Sequence, residues 1–554
     1  MEKQKKILHL LCLTTIIALA AFLRFYKLDW GNGFFFHPDE YHIVGAVERL
    51  SFPHQMNPGL FSYGSFTVYL IYFVKSIFSL ETSTFLVGRY LSAFFSTLTV
   101  YITYLISREI FQKKFYHYLS AFLVSILPGI IQQAHYTTPE SILTFWLLTT
   151  VLLWLKWLKL KKLKIYILSA ITLGLALGTK VTSAVFLPVL FLLPFLKTKK
   201  QNKLSHNLFI SAVSILTSFA TFFLVFPYSI LNSEGFLNSI RYETGVGQGK
   251  YVVFYTRQFI ETVPIKFQLE KILPFALGPA VLIFGILGFV LILKEIYRTK
   301  RRGVIINYPI ILFVVSFCLL FFPNSFLFAK WTRFIAPTFP FFCIFASYFI
   351  LFFEKQLKNT FLKKYSFYFL VLVIVSVTSI WSMMFFSIYL KKDVRETATH
   401  WINENIPENS YILTETGNTL EVPLKGKYHK VPFDFYELEY NQYKKGVLIS
   451  ELVKSEYFIV QSRRVFANHQ RLDSQYPLIS HFYDLLFSGN LGFEKIKEIE
   501  SFPELRIGNY RLYVKDENAE ETWAVFDHPV IRVFKKTSDI SANEYENLLE
   551  IGSY

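Results

Sequence analysis

Residues 7–40 read ILHLLCLTTIIALAAFLRFYKLDWGNGFFFHPDE, and the class of fold turns on them. The run over about 7–26 is long and apolar enough to cross the roughly 30 Å of hydrocarbon in a bilayer. Lys3, Lys5 and Lys6 stand before it. The tetrapeptide His37-Pro38-Asp39-Glu40 follows within a short stretch. Two adjacent carboxylates are expensive in lipid, so they belong in water where the membrane ends on the far side. A basic start before an apolar run also resembles a signal peptide, and Ala18-Leu19-Ala20 has the small residues of a cleavage site. The run continues through Ala21, Phe22 and Leu23, which favours an uncleaved anchor. The first loop lies on the same side in either case.

Composition extends this reading to the whole chain. Of 554 residues, 53% are hydrophobic and only 18% charged, against about 25% charged in a soluble protein. The net charge of +17 does not form one patch, as a nucleic-acid surface would require. It is divided among short clusters between apolar runs, which excludes a nucleic-acid partner and fits loops on the positive side of a membrane. Cys12, Cys318 and Cys343 all lie in apolar runs, so no disulfide framework is expected.

Spans are expected at about 7–26, 85–107, 116–134, 141–158, 165–179, 181–196, 207–227, 272–293, 304–322, 334–353 and 366–389. The basic clusters orient them: Arg108, Lys113 and Lys114; Lys159, Lys161, Lys162 and Lys164; Lys197, Lys199, Lys200 and Lys203; Lys294, Arg298, Lys300, Arg301 and Arg302; Lys355, Lys358, Lys363 and Lys364. Every second loop is basic. The expectation is about eleven spans in the plasma (inner) membrane, N-terminus cytoplasmic and C-terminus outside. The apolar run 64–80 would break the alternation as a span, so it is expected to be interfacial or re-entrant, with Lys75 reaching to the surface. The outer loops are then 27–84, about 135–140, about 228–271 and 323–333. Two domains are expected: a helical membrane domain over 1–390, and a soluble extracytoplasmic α/β domain over 391–554 whose strand-like runs include 457–460 and 530–533.

Residues 37–50, HPDEYHIVGAVERL, have the pattern of a short helix. Pro38 suits its first position, and Asp39 and Glu40 fall where the helix dipole favours anions. Ile43, Ala46, Val47 and Leu50 form a stripe expected to lie on the membrane plane. A second acid, Glu140, follows His135, Tyr136 and Pro139 at another junction on the same face. An acid at a helix start is often only a cap; the shared side raises the reading of a site. TGVGQGK at 244–250 lacks the spacing of a phosphate-binding loop.

Several stretches together resemble the polyprenyl-phosphate-sugar-dependent glycosyltransferases of the GT-C fold, above all the protein O-mannosyltransferases and aminoarabinose transferases. They are FHPDE, SYGSFTVYL, VGRYLSAFFSTLTVYITYLISREIF, AHYTTPESIL, GLALGTKVTSAVFLP and KWTRFIAPTFPF in the membrane region. In the tail they are DVRETATHWINENIPENS and ETWAVFDHPVIRVFKK. Two positions depart from the family pattern. Glu140 stands where Asp is usual, and Ser62-Tyr63-Gly64-Ser65 replaces a Tyr-Pro-Pro segment.

The resemblance implies transfer of a hexose or pentose from a polyprenyl-phosphate donor to a hydroxyl of a protein, lipid or envelope glycan on the outer face. It implies Asp39 as general base, with Glu40 and Glu140 positioning the acceptor or the base, and inversion at the sugar C1. Lys180 and Arg333, then Lys330, Arg89 and Arg257, are the cations for the donor phosphate. His37, His135 and Tyr136 are candidates for positioning substrate. No metal is expected to be obligatory; His37, Asp39 and Glu140 form the one set with the chemistry for a divalent cation. Two other classes compete. A transporter or flippase would show repeats and mid-span charges, and a non-catalytic sugar-lipid binder would not need Asp39 and Glu40.

Overall fold

The computed structural model describes residues 2–79, 81–196, 204–302, 307–356, 361–417 and 421–550. Lys197, Lys199, Lys200, Lys203 and Lys358 of the basic clusters lie outside them. Among the described residues eight helices are long and apolar enough to cross a membrane, or nine if one bent pair forms a single span. The chain is a multi-pass helical membrane protein of the expected class. The two expected spans at 165–179 and 181–196 are shorter helices, Leu163–Thr179 and the broken run Val181–Phe195. The run 64–80 contributes the helix Ser65–Ile77, also too short to cross unaided.

The described residues fall into two compact units, each assembled from separate stretches of chain. The first takes the residues up to Leu28, then Asp39–Tyr251 and Thr262–Met383. Its leading elements are α1 (Glu2–Phe25), α2 (Pro38–Glu48), α3 (Ser65–Ile77), α4 (Thr84–Ile110), α5 (Lys114–Ser125), α6 (Pro128–Ala134), α7 (Glu140–Leu160) and α8 (Leu163–Thr179). Helices α4, α7 and α8 pack in sequence. The expected span 116–134 is α5 and α6, bent by 54°.

That bend has an identifiable cause. Pro128 brings no N–H to the carbonyl of Val124. Arg24, buried in the apolar run of α1, supplies one at 3.0 Å and another to the Ser125 carbonyl at 2.7 Å. A cation at the end of α5 is also favoured by the helix dipole.

The stripe of α2 does not lie on the membrane plane. Ile43, Ala46, Val47 and Leu50 are buried against Val68 and Ile71 of α3 and Val87 of α4.

The second unit comprises Asp29–Pro38, Val252–Glu261 and Met384–Tyr554. Its strands are β1 (Tyr411–Glu415), β2 (His429–Phe433), β3 (Tyr457–Val460), β4 (Phe493–Ile499), β5 (Glu504–Ile507), β6 (Tyr510–Tyr513) and β7 (Ile531–Lys536). Five form a mixed sheet in the order β2-β1-β3-β7-β4, and β5 pairs β6 alone. The two strand-like runs of the sequence are adjacent here: β3 and β7 pair antiparallel, Phe458 opposite Phe534 and Ile459 opposite Val533. Alternate residues serve two cores. Leu413, Phe458 and Phe534 pack on one face with Phe435 and Phe482, while Ile412, Ile459 and Val533 pack on the other with Val394, Ala398 and Ile402. A sheet buried on both faces explains why its central strands read as unbroken hydrophobic runs.

Candidate functional site

The three expected acids stand in three ion pairs, all within the first unit. Helix α2 begins at Pro38, so Asp39 and Glu40 occupy its first turn. Successive helical positions point about 100° apart, and the two carboxylates take different partners.

Glu40 is fully buried. Its two oxygens lie 2.8 and 2.9 Å from the Nε and Nη2 of Arg89, a bidentate pair. Oε1 also accepts the backbone N–H of Thr137 at 2.8 Å. Arg89 is equally buried, donates to the Leu28 carbonyl at 2.8 Å, and lies over the ring of Phe85. Glycine at position 88 makes room for this joint: a Cβ there would stand 2.1 Å from Cγ2 of Thr137. The expectation that Arg89 binds a donor phosphate is therefore corrected, because its guanidinium is sealed against Glu40. Glu40 is sealed with it and cannot touch an acceptor.

Asp39 is the open acid. Its side chain is 14% exposed, and its Oδ2 accepts from Nη1 of Arg333, itself 17% exposed. The Arg333 guanidinium lies 5.0 Å from the centre of the Trp331 ring, within cation–π range.

Glu140 opens α7, and its Oε1 accepts from Lys180 Nζ at 3.2 Å. Its Oε2 is buried without a hydrogen-bond partner. A cavity of about 10 Å³ lies beside it, lined in part by Ser96, Thr99, Gln133, Ser141 and Thr144, room for one water at most. Lys180 follows the last residue of α8. Its Nζ lies 4.9 Å from the ring centre of Phe334 and 5.7 Å from that of Tyr63. Phe334 is the neighbour of Arg333 in the chain, so the two cations ranked first for phosphate share one neighbourhood, each already balanced by an acid.

The remaining candidates are placed otherwise. His135 is buried, with Nδ1 2.9 Å from the Ile131 carbonyl and Nε2 3.1 Å from that of Tyr26; it braces the turn after α6. Tyr136 is buried beside it. Lys330 donates to the Phe328 carbonyl at 2.9 Å and Thr262 Oγ1 at 3.1 Å, and burial lowers its ammonium to about 8. Arg257 belongs to the second unit, where it donates to the Tyr436 carbonyl at 2.9 Å and lies 2.6 Å from Nε2 of His469. Lys330 and Arg257 are thus both engaged within the fold, each through two hydrogen bonds. His37 is also in the second unit, its ring 4.4 Å from that of Phe526. Among the described residues no three His, Cys, Asp or Glu side chains come together to hold a metal.

Two features escaped the sequence reading. One is Arg24, whose signal was available: an arginine inside an apolar span has a partner to serve. The other is Tyr63, which reaches Lys180 because Gly64 lies directly against the end of α8. The Gly64 N–H donates to the Thr179 carbonyl at 3.0 Å, and a Cβ on Gly64 would meet the Gly178 oxygen at 1.8 Å. Here the replaced Tyr-Pro-Pro segment is a backbone-to-backbone joint.

Residues 63–242 match the family model described as dolichyl-phosphate-mannose-protein mannosyltransferase. Among solved structures, the oligosaccharyltransferase of Archaeoglobus fulgidus tethered to an acceptor peptide is similar with a TM-score of 0.54 at 13% identity, over 97% of this chain and 89% of that one. ArnT of Cupriavidus metallidurans bound to undecaprenyl phosphate gives a TM-score of 0.48 at 11% identity, over 96% and 98%. The Pmt1-Pmt2 protein O-mannosyltransferase of S. cerevisiae bound to the sugar donor gives 0.35 at 17% identity, over 41% and 34%. No curated protein matches the chain in sequence. The structural likeness speaks to the fold. Residues 63–242 thus carry the sequence pattern of the dolichyl-phosphate-mannose-protein mannosyltransferases, on a membrane fold of the GT-C type.

Proposed function

We propose that this chain is a membrane glycosyltransferase that moves a hexose or pentose from a polyprenyl-phosphate donor to a hydroxyl on the outer face of the plasma membrane, with Asp39 as general base. The acceptor is a protein, a lipid or an envelope glycan. The polyprenyl-linked donor rests on the matched family, whose sugar is carried on dolichyl phosphate. The sidedness rests on the alternation of basic loops, which puts the N-terminus in the cytoplasm and the tail outside.

One observation carries the assignment of the base. Of the three candidate acids, Glu40 and Glu140 are buried and Asp39 alone is partly open to solvent. A base must reach the proton that it removes. The acceptor oxygen attacks the sugar C1, its proton passes to the Asp39 carboxylate, and the C1–O bond to phosphate breaks with its electron pair left on the phosphate. Attack from the face opposite the leaving group inverts C1.

Arg333 links the two ends of this reaction. It pairs with Asp39 in the protein as it stands, and an arriving phosphate competes for the same guanidinium. Donor binding then draws Arg333 toward the phosphate and frees Asp39 to act as base. Lys180, held by Glu140 and the rings of Tyr63 and Phe334, supplies the second cation for the developing phosphate charge.

The test is Asp39→Asn in purified protein reconstituted with a polyprenyl-phosphate sugar. Transfer is expected to disappear while the unfolding temperature stays near that of the parent; near-normal transfer by this variant sinks the mechanism. Mass spectrometry of envelope glycans and secreted proteins from cells lacking the gene then identifies sugar and acceptor.

A further inference from the structure

The β5–β6 hairpin has one face closed by ion pairs and one apolar face that is largely exposed. Antiparallel pairing sets Leu505 opposite Leu512 and Ile507 opposite Tyr510, and it sets Glu504 opposite Tyr513 and Arg506 opposite Arg511. Residues directly opposite share a face, and alternate residues change face. One face is therefore Leu505, Ile507, Tyr510 and Leu512, while the other carries the charges.

The charged face is closed by ion pairs. Glu504 receives Arg506 at 2.9 Å and Arg511 at 2.5 Å, and Arg511 also reaches Glu500 at 3.0 Å. Among the described residues the apolar face has no such cover. Ile507 is 68% exposed, Tyr510 84% and Leu512 58%. A two-stranded ribbon is marginal by itself in water, and a contiguous apolar face at its tip marks a contact surface.

Where the hairpin is fastened says what meets that face. The Glu504 N–H donates to Ser387 Oγ at 3.1 Å, and the Glu504 carboxylate accepts from Lys391 at 2.7 Å. Ser387 lies in the last turn of the membrane-spanning helix Phe361–Leu390, and Lys391 follows it. The root of the hairpin is thus tied to the level at which an apolar span ends, beside Leu390, which is 53% exposed. Its tip also has the composition of a membrane interface: tyrosine with aliphatic residues on one face and arginines on the other.

We propose that the β5–β6 hairpin is an interfacial anchor whose apolar face, Leu505, Ile507, Tyr510 and Leu512, lies in the headgroup region of the bilayer where the last span ends. Arg506 and Arg511 on the opposite face sit at the level of the lipid phosphates. The occupant is lipid and not a second protein because Glu504, the root of the hairpin, is bound to Ser387 and Lys391 at the end of a helix that itself runs into the membrane.

The experiment uses the full chain in phosphatidylcholine–phosphatidylglycerol vesicles, with Cys12 and Cys318 replaced by Ser and Cys343 left buried. Tyr510→Cys or Leu512→Cys carries an environment-sensitive fluorophore. Tyr443→Cys, at an exposed aromatic position elsewhere in the same unit, is the water-facing reference. The expected result is a several-fold drop in quenching by aqueous iodide relative to the reference, with strong quenching by nitroxide on lipid acyl chains near the headgroup. Iodide quenching equal to that of the reference overturns the proposal. So does protection from iodide without quenching by the lipid nitroxide, which identifies a protein cover. The label replaces a side chain exposed on the protein surface in each case, and the unfolding temperature of the labelled protein, unchanged from the parent, excludes loss of fold.

Discussion

Asp39 and Glu40 are neighbours with opposite fates, and single residues decide which fate each has. Glu40 meets Arg89 in a sealed pair, and Asp39 meets Arg333 at the water's edge. The adjacent acids were legible in the sequence; which of them faces inward was not, because that depends on the rotation of α2, set by Ile43 and Val47 packing on α3 and α4. The two pairs respond differently to substitution. Arg89→Met strands a buried carboxylate and is expected to lower stability by about 3–5 kcal/mol. Adding Glu40→Gln to it should restore much of the loss, since the uncompensated charge is then gone. Thermal unfolding of the single and double variants in detergent measures both. The tail has its own ionic joint, which no spacing in the sequence announced. His528 is fully buried between Asp527 and Asp516, with Nε2 2.9 Å from Asp516 and Tyr389 bonded to Asp527 at 3.1 Å. Burial opposes its charge, but the two carboxylates outweigh burial and raise the imidazole from 6.5 to about 10. A raised cationic group contributes stability that is full below 6.5 and is lost as pH rises through about 10. Unfolding of the parent followed by tryptophan fluorescence should weaken over that window, and His528→Asn should flatten the dependence while lowering stability at neutral pH.

At the scale of elements, long spans were the easy part of the sequence and broken ones the hard part. Uninterrupted apolar runs became single helices: the run expected at 366–389 lies within Phe361–Leu390, which starts five residues earlier. The run 116–134 gave a bent pair, because Pro128 interrupts it, and Arg24, a hundred residues away in the chain, helps to satisfy the loosened carbonyls of Val124 and Ser125. The run 64–80 is apolar because α3 is buried against protein along Val68 and Ile71, a condition that hydropathy cannot distinguish from burial in lipid. The loop that leads into α3 makes a sharper prediction. Gly64 faces the backbone of Gly178, with no flexible side chain between them to yield. Gly64→Ala must force the loop and the end of α8 apart, at an overpacking cost of about 1–3 kcal/mol, and must carry Tyr63 away from Lys180. Both unfolding temperature and sugar transfer are expected to fall, although Asp39 and Arg333 are untouched. Ser62→Ala, two residues earlier and outside that contact, should leave both near the parent values.

At the scale of the whole molecule, each compact unit is stitched from separated segments of the chain. Composition marked the charged tail from about 390 onward, because charge density changes there. It gave no hint that Asp29–Pro38 and Val252–Glu261 are packed with that tail, since short loop segments of mixed character look alike wherever they dock. Arg257 shows how the docking is made. It donates to the Tyr436 carbonyl, lies 4.4 Å from the Tyr476 ring centre, and faces Nε2 of His469. Burial, with Arg257 beside it, lowers His469 to about 4, so the ring is neutral at working pH. Its Nδ1 lies 2.6 Å from the Val465 carbonyl, which leaves Nε2 as the acceptor for Arg257. A residue engaged in this way acts as a staple for its segment. Arg257→Ala in the intact protein is therefore expected to speed amide hydrogen exchange in residues 254–259 and 466–471, where the staple holds two segments together, and to leave affinity for the polyprenyl-phosphate donor unchanged. Lys180→Ala should do the reverse, weakening donor affinity with exchange in those segments unaltered. Reduced donor affinity in Arg257→Ala, with exchange unchanged, would return Arg257 to the phosphate site; the opposite pattern assigns it to the architecture of the tail.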